Sequence, residues 1–376
     1  MKILYVATVR SHIGQFHMPF IKNLKEQGHE VHAAFKDNSQ DKQGLDLSAI
    51  DETFEIPFER SPFKLQNIKA YFALKKVIDQ GEYDIIHCHT PMGAVITRLA
   101  ALKARKKGTK VFYTAHGFHF YKGAPLKNWF IFYPVEKILS RFTDVLILIN
   151  EEDYQLAVTK NFKAQKICKT HGVGVELDKF DDSLCEKKEE LRKQYDYPEN
   201  MFAMIYPADL SKRKNQKMLL ETVRILKKKI PDLKLLLPGQ PIMLEEYKKL
   251  AKQYDIEEKV EFLGYRRDIP ELLALSDVSV SSSRQEGLPI NIVEAMAMGK
   301  PVVATAVRGN EDLVMAKKGG FLIKLNDSRE MARAIYALYT HQNMFDRIGE
   351  FNKKHIRQFS TECVIRELEE IYFREL

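Results

Sequence analysis

The chain has 376 residues, with 59 Lys+Arg against 51 Asp+Glu, and is 45% hydrophobic and 29% charged. These proportions fit a globular protein of about two domains and exclude a disordered chain, a collagen-like or coiled-coil rod, and a small disulfide scaffold. No run approaches the roughly 18 apolar residues of a membrane-spanning helix; the best, within 142–150, is of strand length.

Residues 1–7 carry one basic residue and a short apolar run. A signal peptide needs a longer apolar core and a small-residue cleavage site, so the run predicts a first buried strand. A helix is predicted over 18–27, ended by Gly28, then a strand over 30–35 and a helix over 65–80. Next come a strand at 83–87, a helix at 93–107 closed by Gly108, a strand at 110–114, part of a helix at 135–141 and a strand at 145–149. Asn150 reads as the N-cap of a following helix, with Asp153 at its third position. The rhythm restarts after residue 200. Strands are predicted at 203–206, 234–237, 260–262, 278–281, 301–304 and 320–323, with helices at 215–229, 244–254, 269–276 and 289–298 and further helices to the end. Short apolar strands alternating with helices imply parallel βαβ units. Two such series, separated by a charged stretch at 176–199 that holds a predicted helix over 185–195, imply an α/β protein with two Rossmann-like domains. The four cysteines, Cys88, Cys168, Cys185 and Cys363, form no C-x-x-C, which points to a reduced, cytoplasmic protein.

Charge is uneven. Residues 101–150 hold nine cations against two anions, residues 201–250 hold eleven against five, and residues 151–200 hold nine against twelve. Two basic zones around an acidic one point to local anionic partners. Solvated lysines on helix faces account for part of this. No nucleic-acid-binding module is recognisable, so no nucleic acid is expected as a partner.

Ligands of open parallel sheets bind beyond the carboxyl ends of the strands. After the first strand, Gly14 is a lone glycine rather than a G-x-G-x-x-G, and it reads equally as a turn residue or as a point of close ligand approach. Histidines His87, His89, His116 and His119 follow two later strands. They lack a carboxylate or cysteine ligand at fixed spacing, so no metal is expected. His116 instead stands at a strand end, where its imidazole serves a substrate hydroxyl or carbonyl, or is simply structural. Lys212, Arg213 and Lys214 precede a helix, whose N-terminus disfavours cations unless an anion joins them. A phosphate held by both would resolve the conflict; a solvated charge run is the alternative. The richest segment is 281–305. A strand ends at Ser281, a polar loop carries Glu286, Gly287 and Leu288, Pro289 starts a helix, and Glu294 lies about one turn inside it. Carboxylates flanking open backbone N–H groups suit a molecule with both diols and phosphates.

This segment resembles the signature of glycosyltransferase family 4, a retaining nucleotide-sugar family of the GT-B fold. Glu286 and Glu294 form its Glu-x7-Glu, with Gly-Leu-Pro after the first and Ala-Met-Ala-x-Gly-x-Pro-Val-Val-Ala after the second. Residues 260–273 and 172–180 are similar to the family too. The first half, through 87–91, 114–120 and 123–137, is similar to bacterial capsule and exopolysaccharide enzymes. The resemblance implies two Rossmann-like domains facing a central cleft, which we place at 1–195 and 196–350, with a terminal helix in 351–376 returning to the first. It implies that Glu294 holds a ribose diol, and that Glu286 with the N–H groups of Gly287 and Leu288 holds the donor sugar. Lys214 would neutralise the diphosphate, His116 would be the active-site histidine, Gly14 would face the diphosphate, and Gly264 and Tyr265 would precede the loop touching the base. Asp209 stands where the family often has Arg, and Arg213, Lys212 or Arg284 are the substitutes on hand.

The expected activity is retaining transfer of a sugar from a nucleotide-diphosphate donor, a uridine nucleotide by analogy, to a lipid-diphosphate-linked saccharide. A leaving diphosphate needs cations and helix N–H groups. Lys212, Arg213 and Lys214 with the helix onset at Pro289 supply these without a cofactor, and no Asp-x-Asp is present. Aromatic residues within 118–141, from Phe118 to Tyr133, alternate with Lys122, Lys127 and Lys137, a pattern suited to a peripheral membrane surface or to core packing. The alternatives are a nucleotide-sugar epimerase of the same fold and a zinc hydrolase built on His87, His89, His116 and His119.

Overall fold

Among the described residues every strand pairing is parallel. The computed structural model describes residues 1–40, 44–180 and 182–374, with Asp182 described through its backbone alone. The chain divides into one unit of Met1–Gly174 with Thr361–Leu376 and a second of Val175–Ser360.

In the first unit the chain runs β1 (Lys2–Val9), α1 (Arg10–Phe16), α2 (Met18–Glu26), β2 (Glu30–Lys36), β3 (Glu52–Glu55), α3 (Gln66–Gly81), β4 (Ile85–His89) and α4 (Pro91–Ala100). It continues with α5 (Leu102–Arg105), β5 (Lys110–Ala115), α6 (Leu126–Leu139), β6 (Val145–Leu148), α7 (Glu151–Thr159) and β7 (Lys166–Lys169). The sheet order is β3-β2-β1-β4-β5-β6-β7, so the winding reverses between β1 and β4. Ile3 and Tyr5 of β1 enter one apolar layer while Leu4 and Val6 enter the other. A strand buried on both faces reads as a continuous apolar run, which is why it stands out in the sequence.

In the second unit the order is α8 (Asp182–Glu186), α9 (Lys188–Gln194), β8 (Phe202–Ile205), α10 (Gln216–Leu226), β9 (Leu233–Pro238), α11 (Leu244–Gln253), β10 (Val260–Gly264) and α12 (Ile269–Leu275). Then follow β11 (Val278–Ser281), α13 (Ile290–Ala297), β12 (Val302–Thr305), α14 (Asn310–Leu313), β13 (Gly320–Ile323), α15 (Ser328–Thr340) and α16 (Met344–Ile356). The sheet order β10-β9-β8-β11-β12-β13 reverses between β8 and β11.

The chain enters the second unit at Val175, not near residue 196, because α9 is fastened to α12 and β11. Buried Arg192 donates to Leu275 O at 3.1 Å and to Asp277 at 2.8 Å, and Lys188 reaches Asp277 at 2.5 Å. Residues 351–360 also stay with the second unit, since Asn352 Nδ2 donates to the carbonyls of Lys300 and Gly319. Only α17 (Thr361–Arg374) returns to the first. There the Tyr372 hydroxyl lies 2.6 Å from His87 Nδ1 and donates to the Tyr5 hydroxyl at 3.1 Å.

Arg98 of α4 is fully buried. It donates to Glu136 of α6 at 2.9 Å and lies 4.4 Å from the centre of the Tyr113 ring. Removing one partner of a buried ion pair strands the other, at a cost of about 3–5 kcal/mol, whereas an apolar pair of similar size is roughly neutral. Arg98→Ala should therefore lower the urea midpoint markedly, and Arg98→Met with Glu136→Leu should recover most of it. Equal losses in both variants would show that the pair is not what holds α4 to α6.

Candidate active site

The carboxyl ends of β8 and β11 meet at the switch point of the second sheet, where ligands of such sheets bind. The loops leaving these strands are tied together. Ser282 Oγ donates to Lys214 O at 2.9 Å, Arg284 N to Arg213 O at 2.9 Å, and Asn215 Nδ2 to Ser282 O at 3.1 Å. Asn215 caps α10 with φ +57, a left-handed conformation that Asn tolerates. The turn aims Lys214 at Glu286: Nζ lies 2.6 Å from Oε1, while Arg213 lies 3.2 Å from Oε2. The Glu286 side chain is buried, and burial alone would raise its carboxyl. Lys214 and Arg213 outweigh that and hold it below its ordinary range.

Pro289 sits at the N-cap of α13 rather than in its first turn, and the helix begins at Ile290. Glu294 follows one turn in. Among the described residues no cation pairs with it, and burial pushes its carboxyl up to about 7. The two carboxylates thus differ: Glu286 is held ionised, whereas Glu294 is poised near neutrality and gains from any hydroxyl donors brought to it.

The loop after β12 supports the 286–289 turn from behind, and nothing in the sequence reading singled it out. Buried Arg308 donates through Nε to Glu286 O at 2.9 Å, and Thr305 Oγ1 donates to Ser283 O at 2.6 Å. Gly309 has φ +80, and a Cβ there would lie 2.5 Å from Gly287 O, so only glycine fits. The available signal was position: a polar Arg-Gly-Asn at 308–310, in the loop that leaves the strand predicted at 301–304.

Gly264 ends β10 with φ +65, and its carbonyl accepts from Gly239 N at 2.7 Å, which joins the β10 and β9 loops; Tyr265 beside it is exposed. Asp209 is committed to the backbone, its carboxylate accepting from Gln240 N at 3.3 Å. Of the proposed substitutes for the missing arginine, Arg213 touches Glu286, and Arg284 is turned to Asn215 Oδ1 at 2.9 Å.

In the first unit, Gly14 lies inside α1 rather than in an open turn, and a Cβ there would meet the Leu45 side chain at 3.0 Å. β4 ends two residues later than predicted, so His87 and His89 both belong to it and share a face. His87 is structural, bonded to Tyr372 and to Thr114 Oγ1, and burial lowers it to about 3. His119 packs on Phe132. The four histidines first considered for zinc are therefore not one cluster. His89 and His116 are instead joined by His12 and His17, and one nitrogen from each of these four lies within 4.8 Å of the others. Burial lowers His116 to about 4 and holds His17 and His89 well below the imidazole range, so these rings are neutral at pH 7. Asn150 caps α7 as expected, accepting from Asp153 N at 2.9 Å.

Comparison with known proteins agrees with this layout. The family model for Glycosyl transferases group 1 matches residues 187–355, and that for Glycosyl transferase 4-like matches residues 2–150. Over 371 residues the chain is 46% identical to the Bacillus subtilis (strain 168) protein named as glycosyltransferase EpsD, spanning 99% of this chain and 96% of the relative. This chain belongs to the family 4-like glycosyltransferases. It is also 27% identical over 275 residues to the Escherichia coli UDP-Gal:alpha-D-GlcNAc-diphosphoundecaprenol alpha-1,3-galactosyltransferase, covering 72% of this chain and 70% of that one. The crystal structure of Anabaena Alr3699/HepE with UDP and glucose superposes with a TM-score of 0.81 over 100% of both chains at 23% identity, which establishes the GT-B fold. The protein is thus a transferase with two Rossmann-like units, and Lys214, Glu286 and Glu294 of this glycosyltransferase lie on the carboxyl edge of the second.

The raised carboxyl of Glu294 has a measurable consequence for stability. A group whose folded value exceeds its unfolded one favours the fold at low pH and loses that contribution as pH rises. Between about pH 4.5 and about 7, the wild type should lose stability relative to Glu294→Gln, as read from unfolding free energies below and above that window. A constant difference would show that the carboxyl titrates normally.

Proposed function

We propose that this glycosyltransferase moves a sugar, with retention, from a uridine-diphosphate donor to a lipid-diphosphate-linked saccharide in exopolysaccharide or capsule assembly. The observation that carries the reading is the Lys214–Glu286–Arg213 cluster beside Glu294 at the β8/β11 switch point. Lys214 and Arg213 would hold the diphosphate, Glu286 with the Gly287 and Leu288 N–H groups the sugar hydroxyls, and Glu294 the ribose diol. Gly264 and Tyr265 lie at the end of β10, where a base would extend. As the bond from the anomeric carbon to the diphosphate breaks, negative charge grows on the departing oxygen, and fixed cations stabilise it without reorganisation. The acceptor hydroxyl bonds to the same face of that carbon and passes its proton to the departing phosphate. His116 would hydrogen-bond the transferred sugar as a neutral ring. Support for donor and acceptor comes from the relative named for UDP-Gal and a diphosphoundecaprenol acceptor, which forms an alpha linkage, and from the UDP-bound structural neighbour.

The acceptor-side unit offers two further features. A cavity of about 710 Å³ lies at the carboxyl ends of β1, β2 and β3, lined by residues including Lys36, Asp37, Glu59 and Arg60, which suits a saccharide. α6 exposes an apolar stripe. Leu126 is 75% and Phe130 78% exposed one turn apart, and Ile131, Val135 and Ile138 form a second exposed line at helical spacing. Much of the aromatic stretch is packed instead, with Phe118 and Phe120 in the core and Trp129, Phe132 and Tyr133 against it. Lys137 donates to Lys160 O at 2.7 Å and so faces the protein, whereas Lys122 and Lys127 are exposed. Among the described residues no helix is long and apolar enough to cross a membrane. A peripheral contact of this stripe with the inner face of an anionic membrane would bring a cytoplasmic enzyme to its lipid substrate.

Thermal shift with a panel of nucleoside diphosphates identifies the base, and turnover with the matching nucleotide-sugar tests the reaction. Lys214→Met and Glu286→Gln should each lower kcat by about 10²–10³. Full activity in the Glu286→Ala/Glu294→Ala pair, or consumption of donor to an epimer without acceptor, would refute the reading. Leu126→Ser/Phe130→Ser/Ile138→Ser should reduce sedimentation with anionic vesicles by about tenfold or more, each buried side chain contributing about 1.5–3 kcal/mol. Unchanged sedimentation would remove α6 from the membrane contact.

A further inference from the structure

A second cluster, at the β1/β4 switch point of the first unit, surrounds His116 with three histidines to which sugar transfer gives no role. His12 lies on α1, His17 between α1 and α2, His89 at the end of β4 and His116 just after β5. His116 Nε2 lies 3.3 Å from His12 Nε2 and 3.3 Å from His89 Nδ1. A ring nitrogen carries either one proton or one in-plane lone pair, so it makes one good hydrogen bond, not two. The spacing has another meaning. A tetrahedral metal with nitrogen ligands at about 2.0–2.1 Å has nitrogen–nitrogen edges of about 3.3 Å. Beside them His17 Nε2 is buried with no hydrogen-bond partner. Buried polar atoms without partners are rare and call for an occupant.

We propose that His12, His17, His89 and His116 form a four-imidazole site for a divalent transition metal of the zinc class. The ligands come from four separate points of the chain, and α1, the α1–α2 junction and the ends of β4 and β5 fix them in place. Imidazole donors with no carboxylate among them favour zinc and its neighbours over magnesium or calcium. His87 is not a ligand, both of its nitrogens being engaged by Tyr372 and Thr114.

The test uses full-length, tag-free protein, stripped of metal and titrated with Co²⁺ and then Zn²⁺. One equivalent of Co²⁺ is expected to give the intense visible absorption of a tetrahedral nitrogen site, and one equivalent of Zn²⁺ to bleach it. Changes at buried His17 and His89 threaten the fold, so the partly exposed His12 and His116 carry the test, with circular dichroism confirming that each variant stays folded. His12→Gln and His116→Gln should each weaken Zn²⁺ binding by at least about tenfold, and His119→Gln should leave it unchanged. Absence of the tetrahedral spectrum, or wild-type affinity in the His12→Gln/His116→Gln pair, overturns the proposal. The readout needs no transferase assay, so its failure is distinct from a failure of the sugar-transfer reading.

Discussion

Parallel strand pairing is the constraint on which the chemistry of this protein rests. It sends every strand's carboxyl end to one edge, so each helix must cross back and each strand-to-helix loop opens on the same side. Where the winding reverses, two neighbouring loops part in opposite directions and leave room between them. Lys214 and Glu286 come from the two loops at the β8/β11 reversal, 72 residues apart in the chain and 2.6 Å apart in space. His12 comes from the helix that follows β1 and His89 from the end of β4, the corresponding pair of strands in the first unit. Both polar clusters therefore follow from the same topological event.

Burial then decides what each group can do. Glu286 and Lys214 are both screened from water, and each makes the other's charge tolerable. Such pairs are weak as sources of stability but strong as sources of fixed geometry. Exposed Arg213 completes the cluster from the solvent side and contributes less, its charge being largely screened. Glu294 has no such partner among the described residues, and burial alone raises its carboxyl to about 7. Around them the backbone is constrained: Gly309 leaves no space for a side chain against Gly287, and Arg308 grips the carbonyl of Glu286 itself. A loop of this kind keeps its dipoles in place before any ligand arrives.

Much of this was legible in the residues. Strands buried on both faces announce themselves as apolar runs, and 278–281 and 320–323 were placed to the residue. The edge strands β3, with its Glu-Thr-Phe-Glu, and β7, with its Lys-Ile-Cys-Lys, carry no such run and were missed. The helix α1 was missed too, since its seven residues give two turns and no periodicity to read. The Glu286–Glu294 pair was visible because one loop and one helix hold both within a short span. Arg308 and Gly309 were not, because their role depends on contact with a loop more than twenty residues earlier. The histidines illustrate the same limit: proximity in sequence suggested 87, 89, 116 and 119, whereas the sheet gathers 12 and 17 in place of 87 and 119.

The terminal helix α17 gives the chain an unusual order of completion. Its Tyr372 hydroxyl joins the Tyr5 hydroxyl and His87, so the layer begun by the first strand is closed by a residue 367 positions further along the chain. A ribosome adding about 5–20 residues per second exposes the first sheet long before that closing piece emerges. During that interval the second unit, whose residues are continuous, has all it needs to fold. The amino-terminal half is therefore synthesised first yet finished last, and its unsealed apolar face is the part of the nascent protein that must be shielded from aggregation.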